Sequence, residues 1–164
     1  MLVKEVMVSS RVAVCRPEAN LAEVAAILWE SRCGYLPVVD DNGRVVSVIT
    51  DRDIAIALGT RNMRASDVKV KDVAPPRVFT CAPSDDFESA LNTMVTQNVR
   101  RLPVIEDGEL VGVLSIDDLA RDASEWPGEG DIPQGDVIVA IRKILSARAR
   151  GHVRRPAEVM STRA

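Results

Sequence analysis

The chain is poor in rings: 164 positions hold two Phe, one Tyr and two Trp. Val, Ile, Leu and Ala must therefore fill the interior, which favours an α/β core over an aromatic-rich sheet protein. Histidine is almost absent, and the single His152 gives a His-based metal cluster or a Ser/His catalytic arrangement nothing to build on within one chain. Cysteine is scarce too. Cys15, Cys33 and Cys81 lack a metal-ligand spacing and cannot all pair within the chain, so buried thiols in a reducing cytoplasm are expected. No uncharged apolar run reaches about eighteen residues, and Lys4 and Glu5 interrupt the first stretch, which argues against a signal segment and a membrane span.

What is present is the balance of a folded, soluble chain, 46% hydrophobic and 27% charged. The formal charge of −3 is unevenly spread. Residues 131–164 hold seven Lys/Arg and three Asp/Glu (+4), leaving fourteen against twenty-one (−7) in residues 1–130, an acidic body with a basic tail.

The sequence repeats. "RPEANLAEVAAIL" (Arg16 to Leu28) aligns with "APSDDFESALNTM" (Ala82 to Met94), "YLPVVDD" (Tyr35 to Asp41) with "RLPVIED" (Arg101 to Asp107), and Cys15 with Cys81. After one deletion in the second turn, "GRVVSVITDRDIA" (Gly43 to Ala55) falls on "GELVGVLSIDDLA" (Gly108 to Ala120). Order, polarity and turn residues are kept together, the mark of a tandem duplication. The first copy predicts a strand over Val12 to Cys15, then a helix capped by Asn20 with Glu23 at N3. Strands over Leu36 to Val39 and Val45 to Ile49 follow, joined by a tight turn at Asn42-Gly43, then a helix from Thr50 to near Gly59. The second copy predicts strand Val78 to Cys81, helix Asp86 to Thr96, strands Leu102 to Ile105 and Leu110 to Leu114, and helix Asp117 to Ala123. "GTRNMRAS" (Gly59 to Ser66) reads as a linker and "SEWPGEGDIPQG" (Ser124 to Gly135) as a loop in which Trp126 is an anchor. Val137, Ile138, Ile141, Ile144 and Leu145 outline a further amphipathic helix. Arg148 to Arg155 form a basic run, and "AEVMST" (Ala157 to Thr162) echoes "KEVMVS" (Lys4 to Ser9). One copy of some sixty residues would bury only about 60% of its unfolded surface, so two copies packed sheet against sheet are expected, with clefts between them.

Two junctions carry a hydroxyl and, three places on, a carboxylate: Thr50 with Asp53 and Ser115 with Asp118. One reading is helix capping, in which the hydroxyl takes the N3 amide and the acid sits in the first turn. The other is a ligand site, in which hydroxyl and amides meet a phosphate while the carboxylate accepts both hydroxyls of a ribose.

The layout resembles a CBS domain pair over about residues 3 to 123, on "EVM" (Glu5 to Met7), "LPVVDDNG" and "LPVIEDG", then "VSVITDRDI" and "VGVLSIDDL". The resemblance implies an α/β fold of two tandem CBS repeats, each strand-helix-strand-strand-helix, packed with pseudo-two-fold symmetry. Its expected boundaries are 1–62 and 63–123, with 124–164 as loop, amphipathic helix and basic tail. It implies a non-catalytic regulatory module, standing alone, that binds an adenine nucleotide in the clefts. AMP is the first choice, with ATP, ADP, NAD or S-adenosylmethionine as others. The implied ligand residues are Thr50, Asp53, Ser115 and Asp118 for ribose and phosphate, Arg100 and Arg101 for phosphate, and Val12, Gly34, Tyr35, Val78 and Val99 around the base. Arg52 stands at a helix start as either a phosphate contact or solvated surface. Ser47, where the second copy has Gly112, could tighten one cleft, and the two clefts should differ in phosphate preference. No cofactor is required; Mg²⁺ could ride on the nucleotide's phosphates, with no site built by Asp51, Asp53, Asp117 and Asp118.

The alternative is a homodimeric interaction module with empty clefts, joined through the face of Leu21, Ala25, Leu28, Phe87, Leu91 and Met94. Nucleic-acid binding through Arg142, Lys143, Arg148, Arg150, Arg154 and Arg155 is the weaker third reading, because no aromatic platform accompanies the charges. The regulated partner protein is not legible.

Overall fold

The computed structural model describes residues 1–10, 12–124 and 132–151, with residues 148–151 described by backbone alone. The elements are α1 (Leu21–Glu30), β1 (Tyr35–Val39), β2 (Val45–Thr50), α2 (Asp51–Arg61), α3 (Phe87–Gln97), β3 (Arg101–Glu106), β4 (Glu109–Ser115), α4 (Ile116–Asp122) and α5 (Gln134–Gly151), with short 3-10 turns at Val3–Glu5, Ala65–Asp67 and Val70–Asp72. The chain is mixed α/β, with two antiparallel sheets, β1-β2 and β3-β4, one in each of two tandem repeats. Trp126, His152, Arg154, Arg155 and the Ala157 to Thr162 echo lie outside the described residues, as do the side chains of Arg148 and Arg150.

The expected first strands are reduced to single bridges, Cys15 to Val38 and Cys81 to Val104, both parallel. Proline is the reason. Cys15 donates to the Pro37 carbonyl (3.1 Å) and accepts from Val39 (2.9 Å), and Cys81 repeats this with Pro103 (3.1 Å) and Ile105 (2.8 Å). Extending either ladder backwards needs an N–H from Pro37 or Pro103, which proline lacks. The first of the two turns also differs from expectation. The second hairpin closes through Asp107 (φ 50°) and Gly108 (φ 87°), the positive pair a two-residue turn demands. The first needs Asp40 to Arg44, where Asp40 accepts from the amides of Asn42 and Arg44 at 2.9 Å and only Gly43 has positive φ; the register slips between Val38 and Val39.

The chain divides into two compact units. One comprises Met7–Pro83 and Pro103–Val113. Its α1 starts where expected: Asn20 Oδ1 accepts from the Ala22 and Glu23 amides and the Glu23 carboxylate accepts from the Asn20 amide, all at 3.0 Å. Leu21, Val24 and Leu28 then face a core with Leu36, Val38 and Ile49. Helix α2 runs past Gly59 to Arg61 and stops at Asn62, whose φ of 51° asparagine tolerates, so the expected linker begins inside the helix. Val68 and Val70 belong to this core: Leu21 donates to the Val68 carbonyl and Val70 to the Ala19 carbonyl, both at 2.9 Å.

The other unit comprises Met1–Val6, Ser84–Leu102 and the chain from Leu114. Here the N-terminal segment does for α3 what residues 68–70 do for α1. Val3 donates to the Asp85 carbonyl (2.9 Å) and Phe87 to the Met1 carbonyl (3.1 Å), and Val3, like Val70, is fully buried. Each repeat's lead-in segment is thus hydrogen-bonded to the first helix of the other repeat. Helix α5 packs on α3 and α4 through Val137, Ala140 and Ile144. Of its expected stripe, Ile138 and Leu145 are exposed, because an i, i+3, i+7 face is as wide as one helical contact allows.

Candidate functional site

In the first unit, β1 and β2 bring four of the anticipated residues to one corner. Tyr35 is paired in register with Thr50, and the Gly34 carbonyl accepts from the Asp51 amide at 3.3 Å. Thr50 ends β2 and caps α2: its hydroxyl oxygen accepts from the Asp53 amide (3.2 Å) and donates to Asp53 Oδ2 (2.6 Å), which also accepts from the Thr50 amide (3.0 Å). The capping reading is therefore realised. Oδ1 of Asp53 is the oxygen that the cap does not use. Asp53 also lines a small recess of about 190 Å³ with Ile56, Ala57, Thr60, Arg61 and Val73. Arg52 is exposed at the second position of α2. A Cβ on Gly34 would meet Asp51 Oδ2 at 2.9 Å, so the residue is small because a carboxylate leans across it. Val12 lies elsewhere in this unit, in a cleft of about 540 Å³ walled by Val14, Val39, Leu110 and Val111. Val78 is partly buried three residues before Cys81.

The second unit holds the remaining five residues. Ser115 ends β4 as the N-cap of α4, 5% exposed, and its Oγ accepts from the Asp117 amide at 3.3 Å. Asp118 pairs with Arg121 at 3.0 Å instead of repeating the reciprocal cap of Asp53. Val99 donates to the Met94 carbonyl and Ile116 to the Arg100 carbonyl, both at 2.9 Å, which fixes the strand start against the helix start. Arg100 and Arg101 both reach the carboxylate of Asp117, Arg101 at 2.7 Å. The ion-pair role of Asp117 went unread in the sequence; the signal was there, since Arg52 occupies its place in the first copy and the arginines replace Gly34 and Tyr35.

The Ser47/Gly112 difference also resolves. Ser47 is 7% exposed and donates to the Pro75 carbonyl at 2.5 Å. At Gly112 a Cβ would lie 2.9 Å from Met7 Sδ and 3.0 Å from the Val8 carbonyl oxygen, so the lead-in segment approaches too closely for a side chain. Cys15 and Cys81 are buried, and burial pushes the Cys15 thiol up to about 11, away from reactive thiolate chemistry. Among the described residues no group of three or more His, Cys, Asp or Glu side chains is placed to hold a metal ion, and no helix is long and apolar enough to cross a membrane.

Comparison with known proteins agrees with this layout. The CBS domain family profile matches residues 3–60 and 70–125. The CBS domain-containing protein YhcV of Bacillus subtilis (strain 168) is 31% identical over 118 residues, 72% of this chain and 82% of its own. The crystal structure of the CBS domain pair of protein MJ0100, in complex with 5-methylthioadenosine and S-adenosyl-L-methionine, is similar with a TM-score of 0.64 at 26% identity, over 74% of this chain and 94% of that one. The structure of CBSX2 in complex with AMP has a TM-score of 0.64 at 27% identity, over 73% and 93%. With two matches in tandem, each ending at a hydroxyl-capped helix that carries an aspartate at N3, the chain belongs to the CBS domain family.

Proposed function

We propose that the chain is a non-catalytic regulatory module that binds an adenosyl ligand at its two strand-to-helix junctions, with AMP the first ligand to test and ATP, ADP, NAD and S-adenosylmethionine next. The observation that carries the reading is the corner of Gly34, Tyr35, Thr50 and Asp53, where a hydroxyl and a carboxylate with one oxygen outside the cap meet at a single strand-to-helix junction. A ribose diol would donate to Asp53 Oδ1, the oxygen that the cap does not use, and a phosphate would pair with the Arg52 guanidinium one residue before it. MJ0100 with its adenosyl ligands and CBSX2 with AMP support the ligand class. Regulation would act by population shift, the ligand favouring the arrangement it binds better and so changing the surface shown to a partner. Isothermal titration with the five ligands tests this. Asp53→Ala and Asp118→Ala should each weaken the site they belong to by about 10- to 100-fold, the worth of hydrogen bonds to a charged group. A chain that binds none of the five ends the proposal.

A second reading is favoured by one observation. Trp29 is 85% exposed on α1 and lines a groove of about 950 Å³ with Ala25, Leu28, Ile54 and Ala55, the charged Glu30, Arg32 and Asp51 standing at the same groove. An indole left in water along a mostly apolar groove with charges beside it fits a surface where two copies associate. Of the face named from sequence, Ala25 and Leu28 line this groove, whereas Leu21, Phe87, Leu91 and Met94 are buried within the chain.

A further inference from the structure

Arg100 and Arg101 are the cations a phosphate would seek at the second junction, yet both are engaged by one carboxylate, Asp117. The neighbouring charges are also closed on themselves, since Asp118 and Asp122 both pair with Arg121. Three arginines and three aspartates make the cluster neutral. The backbone beneath it is held: Ile116 and Leu119 of α4 are each 1% exposed, and the Ile116 amide is bonded to the Arg100 carbonyl. The Asp117 side chain, by contrast, is 41% exposed and can rotate away without moving the helix.

We infer that Asp117 is an internal competitor for phosphate, occupying the two guanidinium groups that a nucleotide would use and so setting the preference of the second junction between nucleotides and bare nucleosides. This rests on the adenosyl-binding reading above. A phosphate monoester brings roughly two negative charges and three acceptor oxygens. It can displace a single carboxylate from the arginines, but its net gain is the difference between two charge-assisted pairings and not a whole one. A nucleoside without phosphate gives up nothing, because it leaves the clamp closed. In the first copy Gly34 and Tyr35 stand at the places of the arginines and Arg52 at that of Asp117, so this two-arginine, one-carboxylate pairing belongs to the second junction.

The test titrates the full chain with AMP and with adenosine in the Asp53→Ala background, so that only the second junction is read. Asp117→Asn, and Asp117→Ser as a second variant that keeps a polar side chain in the first turn, should raise the ratio of AMP to adenosine affinity at least fivefold. Arg100→Gln added to either should abolish the gain. Circular dichroism and the thermal midpoint confirm that each variant is folded. If adenosine binds and the ratio does not move in either variant, Asp117 is not a competitor and this inference alone falls. If neither compound binds in the Asp53→Ala background, the adenosyl reading of the second junction falls and takes the inference with it.

Discussion

Glycine and serine exchange places at one residue of the repeat, and the exchange shows what a single Cβ decides. Ser47 fills its place with a hydroxyl bonded to Pro75, whereas at Gly112 the Val8 backbone and the Met7 thioether leave no room. Gly112→Ala should therefore destabilise the fold by about 1–3 kcal/mol, the range for forcing a methyl group into packed structure. Gly34→Ala should cost less, because the obstacle there is the end of the Asp51 side chain, which can turn aside. Urea unfolding of both variants checks the order; equal costs would mean that the Met7 to Val8 segment yields as easily as a carboxylate. The sequence displayed the Ser/Gly difference and suggested a tightened cleft. It could not show that the partner is a lead-in segment, because contacts between residues so far apart along the chain leave no local pattern.

At the level of elements, helices were read well because their signals are local. The Asn20 capping box and the Thr50 cap follow from residues within a few positions of each other, and the helix expected from Asp86 starts one residue later, with Asp86 as its cap. Strands were read less well because a strand is completed by its neighbour, and a proline in β1 or β3 cuts short the ladder of a different segment. The lead-in turn Val70–Asp72 is tied to the approach to α1 by Glu18, which accepts from Lys69 at 2.7 Å and Lys71 at 2.9 Å. Hydrogen bonds from these ammonium groups hold the Glu18 carboxyl down at about 2, against its ordinary 4.5. A folded-state value below the unfolded one means that the tie stabilises the fold above about 4.5 and is lost as pH falls toward about 2. NMR titration of the Glu18 side chain should show that depressed midpoint, moving back up in Lys69→Met and Lys71→Met and in high salt, since the three side chains are half-exposed and screened. A midpoint near the ordinary value in the unmodified chain would show that the pairing does not persist in solution.

At the scale of the whole molecule, Trp29 stands 85% exposed beside the groove between α1 and α2. If the α1 to α2 groove seats a second copy, sedimentation should show a concentration-dependent dimer that Trp29→Glu converts to monomer with unchanged circular dichroism. A monomer at every concentration overturns the dimer reading and leaves the adenosyl reading untouched. The sequence by itself determined the duplication, the order of elements, the helix caps and the two hydroxyl/carboxylate junctions, because each is written in spacings of two to four residues or in a register shift of the chain against itself. Only the tertiary structure decided that each lead-in segment serves the other repeat's helix, that Leu21 and Met94 are core while Trp29 is surface, and that Asp117 holds both arginines. The physical reason is that burial and charge pairing depend on which segments meet in space. Arg100 and Arg101 share Asp117 only because β3 and β4 bring the start of one strand back beside the end of the other.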